Sequence, residues 1–226
     1  MPRRNRRRLR GVVFHVMNRA VRGTILFANN RDFNSLAATL GEALERWPTI
    51  KIVAYQVMDN HWHFIVICDF VHRLSKFMHW FEGTHANRWA GAHNARGRGY
   101  VYQGRFTAVP VQAEHSFIRV CRYVERNALR KNLVSSAEHW TWGSLHARVN
   151  DCYPIALAEW PVAQPANWIE MVNTPQSEKE LADLRRHINR NQPIGTRAWQ
   201  KAVAPFVGMT MAPRGRPRKK KPGPVD

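Results

Sequence analysis

The feature that most constrains the fold is a pair of strand-forming runs, Lys51 to Met58 and His61 to Cys68, with only Asp59 and Asn60 between them. Those two residues have the length and chemistry of a tight hairpin turn, so the runs are expected to pair as adjacent antiparallel strands. The second run carries His61-Trp62-His63 ahead of the apolar Phe64, Ile65, Val66 and Ile67. Strand side chains alternate with period two, so both imidazoles face the same side. Neutral imidazole is the commonest protein metal ligand, and a polar pair in an apolar strand has to satisfy its nitrogens. His61 and His63 are therefore candidate metal ligands, although a strand histidine pair taken alone is more often structural.

Periodicity around the hairpin sets the order of elements. Gly11 to Met17 reads as a strand, and Asn29 to Trp47 has helical spacing through Phe33, Leu36, Leu40 and Leu44, closed by Pro48. A second helix covers about Val71 to Ala90, and Gly91 to Gly99 reads as loop. A strand lies within Tyr100 to Val111, and a helix runs from about Glu114 to Lys131. The order β-α-β-β-α-β-α predicts a ferredoxin-like α+β sandwich with an antiparallel sheet rather than a doubly wound parallel sheet. No Gly-rich phosphate loop is present. Further on, the aromatic-rich segment EHWTWGSL is expected to pack back on the domain, with a polar amphipathic helix at Ser177 to Asn191 and a short one at Thr196 to Val207. The expected division is a basic N-terminal arm (1–10), a main domain (11–150), a helical C-terminal extension (151–208) and a basic tail (209–226).

Charge narrows the partner. Lys and Arg number 35 against 16 acidic residues, a formal charge of +19, which points to a polyanion, with nucleic acid favoured over anionic lipid. The excess crowds both ends, from Arg3 to Arg10 and from Arg214 to Lys221, as phosphate-seeking arms. Within the tail, the four residues RGRP with Arg214 and Arg216 look like the core of an AT-hook, a candidate contact to a duplex or hairpin stem. Cys68, Cys121 and Cys152 are far apart and lack any C-x-x-C spacing, which argues against a disulfide framework and a cysteine zinc site and fits a reducing interior. No apolar stretch reaches ~18 residues, so no membrane association is expected, and the location is expected to be cytoplasmic, beside the nucleoid.

The helix FIRVCRYVERNALRKNLV holds the remaining chemistry. Phe117, Val120, Cys121, Val124 and Ala128 form its apolar stripe, and Tyr123 and Asn127 lie one turn apart along the edge. With His61 and His63 they make three candidate ligands and one nucleophile, enough for metal-assisted phosphoryl transfer. Tyr100 and Tyr102 are rival nucleophiles, but neither has a ligand-type residue at helical spacing. Gln103 and Arg105, beside Gly104 and Phe106, suit backbone contact and base stacking on single-stranded DNA, or form an ordinary turn. Arg122 and Arg126, with Arg119, Arg130 and Lys131, either track phosphates or solvate the helix. His15 either flanks the site as a DNA contact or is a satisfied core histidine. A phenol of pKa ~10 needs help to ionise, and Glu125 and His15 are the candidates for its base.

The hairpin VMDNHWHFIVI, the stretch VYQGRF, the helix RYVERNALRKNLV and the tail RGRPRKK, in that order, resemble the REP-associated tyrosine transposases, relatives of the single-tyrosine HUH transposases of insertion sequences. The resemblance covers roughly Gly11 to Ala147 well and the C-terminal part more loosely. It implies an HUH-endonuclease type of fold, with His61 and His63 as metal ligands, Asn127 as the third and Tyr123 as the nucleophile. It also implies cleavage and rejoining of single-stranded or hairpin DNA at repetitive extragenic palindromes, through a 5′-phosphotyrosine. Mg²⁺ and Mn²⁺ are both candidates, the mixed nitrogen and oxygen donor set leaning toward Mn²⁺. The REP-associated branch implies a monomer rather than the homodimer with shared sites used by insertion-sequence enzymes.

The competing class is a non-catalytic single-stranded nucleic-acid-binding protein of related topology, in which stacking aromatics and charge suffice. The RNA-binding aromatic signature expected of such a sheet has no match in the chain.

Overall fold

The computed structural model describes residues 12–207 and 209. Its first six main elements are β1 (Val12–Arg19), α1 (Asn30–Arg46), β2 (Lys51–Met58), β3 (His61–Cys68), α2 (Val71–Ala92) and β4 (Thr107–Val111). The sheet has the order β2-β3-β1-β4, and its neighbouring strands are all antiparallel. This is the ferredoxin-like arrangement expected from the order of elements. The hairpin boundaries agree with the sequence because turn chemistry is local. So does the start of α1, where the Asn29 side chain accepts from the backbone N–H groups of Arg31 and Asp32.

Alternation divides the sheet into two apolar faces. Phe14, Val16, Trp62, Phe64 and Val66 meet α1 and α2 through Leu36, Leu40, Phe77 and Phe81. On the other face, Val13, Val53, Ile65, Val109 and Val111 meet α3 (His115–Glu125) through Phe117, Val120, Cys121 and Val124. Each fully buried side chain of this size contributes on the order of 2 kcal/mol of transfer free energy. The helix expected over Glu114 to Lys131 is two segments, α3 and α4 (Asn127–Arg130), joined at Arg126 with φ −80° and ψ −1°.

The main domain ends with α5 (Ser144–Val149), and the C-terminal extension adds α6 (Trp168–Asn173), α7 (Glu178–Arg190) and α8 (Arg197–Val207). It shares the second core, since Trp168, Val172, Leu181, Leu184 and Ile188 are buried there. Residues on both sides of position 150 therefore belong to one apolar layer. The aromatic segment and the extension together cover both sheet edges. Val57 N–H donates to Trp142 O at 2.9 Å and Ala158 N–H to Ile52 O at 2.7 Å, along β2. Ile194 N–H donates to Pro110 O at 2.8 Å, along β4. Edge strands left bare invite pairing with other chains, and these contacts close them. The aromatic segment does pack back, with Trp142 stacked on Phe33 at 4.5 Å.

The structure differs from the sequence reading at Glu125 and at the two arginines Arg122 and Arg126. Glu125, a candidate base, has no exposed surface and lies in a buried cluster. It accepts from Ser144 Oγ, from Arg148 Nη1 at 2.7 Å and from Trp168 Nε1 at 2.7 Å. Arg122 and Arg126, read as candidate DNA contacts, instead cap the carbonyl end of α6. Arg122 donates to Thr174 O at 2.8 Å, and Arg126 donates to Val172 O at 2.8 Å and to Asn173 O. The last carbonyls of a helix lack intrahelical partners and carry partial negative charge, so a guanidinium satisfies them as readily as it would a phosphate. Arg126→Ala should lower unfolding stability by about 1–2 kcal/mol and leave the salt dependence of DNA binding unchanged. Chemical denaturation and binding titrations over a salt series check both.

Among the described residues, no helix is long and apolar enough to cross a membrane. The arm before residue 12 and the tail arginines Arg214 and Arg216 lie outside the described residues.

Candidate active site

Register assembles the imidazoles. Met17 pairs with His63, Arg19 with His61 and His15 with Ile65, so His15 is the diagonal same-face neighbour of His63, within reach of a ring. His15 Nε2 and His63 Nδ1 lie 2.9 Å apart. His61 Nδ1 lies 2.7 Å from Asn60 Oδ1. An amide oxygen only accepts, so the His61 proton sits on Nδ1 and Nε2 keeps its lone pair. That nitrogen faces the Asn127 amide, with Nδ2 at 3.4 Å.

Burial is the first cause that holds these rings neutral. It lowers His61 to about 4, with Arg19, Lys131 and Arg130 adding in the same direction. Burial also lowers His63 well below the usual imidazole range, helped by the other histidines and by Arg130 and Arg19. His15 falls to about 4 by burial. Neutral imidazole is the ligating form.

Tyr123 comes to the same place from α3. Its apolar neighbours Val120, Cys121 and Val124 fix the helix on the sheet, and the phenol ring at the edge of that stripe sits 6.1 Å from His63 and 6.3 Å from His15, edge-on to both. Arg130 ties tyrosine to amide. Its guanidinium lies over the Tyr123 ring at 4.4 Å, and Nη2 donates to Asn127 Oδ1 at 2.9 Å. The sequence by itself does not set Arg130 apart from the other cations of the helix. Its signal was the spacing Tyr123, Asn127, Arg130 at i, i+4 and i+7, one stripe of a helix.

The donors fit a divalent cation at two positions and nearly at a third. Both histidine Nδ1 atoms are held by a second residue, the usual support for a ligating imidazole, and His61 Nε2 meets only the Asn127 NH₂, at 3.4 Å. Asn127 presents its NH₂ to His61 and its oxygen to Arg130. A half-turn of the amide brings the oxygen to the histidine side and gives up the Arg130 bond. Among the described residues no group of three or more His, Cys, Asp or Glu side chains could hold a metal ion, so a cation held by these histidines would need the amide oxygen as a further donor.

These groups open on a cavity of about 620 Å³ lined by Tyr123, His61, His63, Asn127 and Gln103. Arg19, Arg22, Arg130, Lys131 and Arg185 also line it, and no Asp or Glu does. Gln103 is held by its backbone N–H to Arg19 O at 2.9 Å. Asn18 steadies the next residue, its Nδ2 donating to Gly104 O at 3.0 Å and to Glu82 Oε1 at 2.8 Å. Arg105 lines a shallower neighbouring depression with Gln103.

The rival tyrosines are elsewhere. Tyr102 is buried on the opposite face, its hydroxyl bonded to Trp62 Nε1 at 3.2 Å and His85 Nδ1 at 2.8 Å, and burial raises its pKa. Tyr100 is 88% exposed and does not line the cavity. His15 has no exposed surface, which removes it as a DNA contact and makes it the partner of His63. The Arg19 and Arg185 contributions are not legible in the sequence because the end of β1 and α7 meet only in three dimensions.

A solved structure described as a REP-associated tyrosine transposase bound to a REP hairpin is similar at 20% identity, covering 74% of this chain and 96% of that one, with a TM-score of 0.49. No curated protein matches the chain. The sequence model described as IS200-like transposase matches residues 11–127. That span is more than half of the 226 residues, and it runs from β1 through the hairpin histidines to Tyr123 and Asn127, the groups that meet at the cavity. The chain belongs to the IS200-like transposase family.

Proposed function

We propose that this protein is a REP-associated tyrosine transposase that cleaves and rejoins single-stranded or hairpin DNA through a 5′-phosphotyrosine on Tyr123. The observation that carries the reading is one cavity shared by a phenol, two neutral imidazoles and five cations, with no carboxylate. A polyanionic strand suits such a cavity, whereas a cationic or apolar ligand does not.

In this mechanism Tyr123 Oη attacks phosphorus in line with the departing 3′-oxygen. The Oη–P bond forms as the P–O3′ bond breaks, the phenol proton passes to water, and the 3′-oxygen takes up a proton to leave as hydroxyl. One phosphodiester replaces another, so the reverse step rejoins DNA without nucleotide hydrolysis. Mg²⁺ or Mn²⁺ bound by His61, His63 and the Asn127 oxygen would polarise a phosphate oxygen and offset charge building on phosphorus. Arg130 supplies fixed positive charge beside the phenol, where negative charge builds on the attacked phosphate. Rotation of the Asn127 amide toward the histidines frees an Arg130 donor for a phosphate oxygen. Because the tyrosine and the imidazoles belong to the same chain, a monomer suffices for the site. Hairpin recognition at repetitive palindromes is supported by the segment resemblance from VMDNHWHFIVI to RGRPRKK.

The test is incubation with labelled hairpin oligonucleotides and Mn²⁺ or Mg²⁺, denaturing electrophoresis and mass mapping of the linked peptide. The expected adduct lies on the peptide bearing Tyr123. An adduct on Tyr100 or Tyr102 moves the nucleophile, and no adduct leaves the non-catalytic binding reading. A second expectation concerns the metal: His15→Leu removes the support of His63 and should weaken Mn²⁺ affinity by about 10–100-fold, read by calorimetry on the DNA-free protein. Unchanged affinity would separate His15 from the metal.

A further inference from the structure

We propose that α7, which lies outside the residues matched to the family, forms the outer jaw of the DNA cavity, with Arg185 holding a backbone phosphate of the bound strand. The inference rests on the reading of the cavity as a phosphodiester site. Leu181, Leu184 and Ile188 bury one stripe of α7 in the second core, which fixes the rotation of the helix. That rotation leaves Arg185 and Asn189, one turn apart, on the cavity wall facing the strand-end and α4 cations.

Of the charged residues of α7, Arg185 is the one that lines the cavity, and several of the others are committed to ion pairs. Asp183 accepts from Arg119 at 3.3 Å and pairs with Arg186, and Glu180 lies 3.8 Å from Arg119. Arg185 is exposed and takes part in none of the ion pairs among the described residues. Placing a fifth cation against Arg19, Arg22, Arg130 and Lys131 without a carboxylate costs repulsion unless an anion lies between them. A guanidinium and an amide at i and i+4 present several N–H donors in one direction, the donor types that meet phosphate oxygens. The jaw is supplied by the same chain as Tyr123, so the strand is gripped between the family domain and the extension.

Binding of a fluorescent single-stranded oligonucleotide to the full chain over a salt series tests this. Arg185→Ala should reduce the slope of log K against log salt by about 0.7, equivalent to about fourfold weaker binding near 0.15 M salt. Arg185→Lys should retain the slope. Arg186→Ala, the same change of charge one residue away and off the cavity wall, should leave the slope at the wild-type value, and all three variants should keep the wild-type melting temperature. A wild-type slope in Arg185→Ala, or an equal fall in Arg186→Ala, overturns the jaw. Adduct formation by the wild type is scored separately, so an adduct with no slope change rejects the jaw alone. A slope change with no adduct rejects the nuclease reading alone.

Discussion

Tyr123→Phe should form no DNA adduct and should lose cleavage by a factor on the order of 10³ or more, as expected when an enzyme's nucleophile is deleted. The ring is 8% exposed and makes its contacts through its face and edges, to Arg130 at 4.4 Å and to His63 at 6.1 Å. Phe preserves each of these and removes only the hydroxyl. Oligonucleotide affinity and melting temperature should therefore stay close to wild type. A denaturing gel with labelled hairpin DNA reads the adduct, and a fluorescence titration reads binding. Residual adduct in Tyr123→Phe would place the nucleophile elsewhere, and loss of binding along with cleavage would make the phenol a DNA contact.

The largest expected effect on stability belongs to Glu125→Ala. The carboxylate has no exposed surface and satisfies Ser144, Arg148 and Trp168, while Arg148 also donates to Val53 O on the central hairpin. Removing one partner of a buried ion pair leaves the other charge and its neighbours unsatisfied, at a cost of about 3–5 kcal/mol. For a chain of this length that corresponds to a fall in melting temperature of roughly 10 °C, measurable by calorimetry. Glu125 ends α3 two residues after Tyr123, so the loss should loosen the mount of the nucleophile as well. A fall under about 1 kcal/mol would show that apolar packing alone holds α3, α5 and α6 together.

These two positions show what a linear reading can and cannot reach. The Tyr123 and Asn127 pair was legible because helical spacing puts residues four apart on one edge, and the histidine pair because strand spacing puts residues two apart on one face. Glu125 was misread because a carboxylate on a helix looks the same whether it meets substrate or an arginine 23 residues away. Arg122 and Arg126 were misread for the matching reason. A guanidinium has no sequence mark that separates a phosphate partner from a helix carbonyl.

The amino-acid order alone determined the hairpin, the ferredoxin-like succession of elements, the imidazole pair on one strand face and the phenol on one helix edge, since each follows from turn chemistry or a repeat of two or 3.6 residues. The tertiary structure decided which way those edges turned toward one another. It set His15 diagonal to His63, swung Arg130 back over Tyr123 and carried α7 to the rim of the cavity. Those contacts depend on strand register and on two apolar faces packing at once, and no local stretch of chain contains that information.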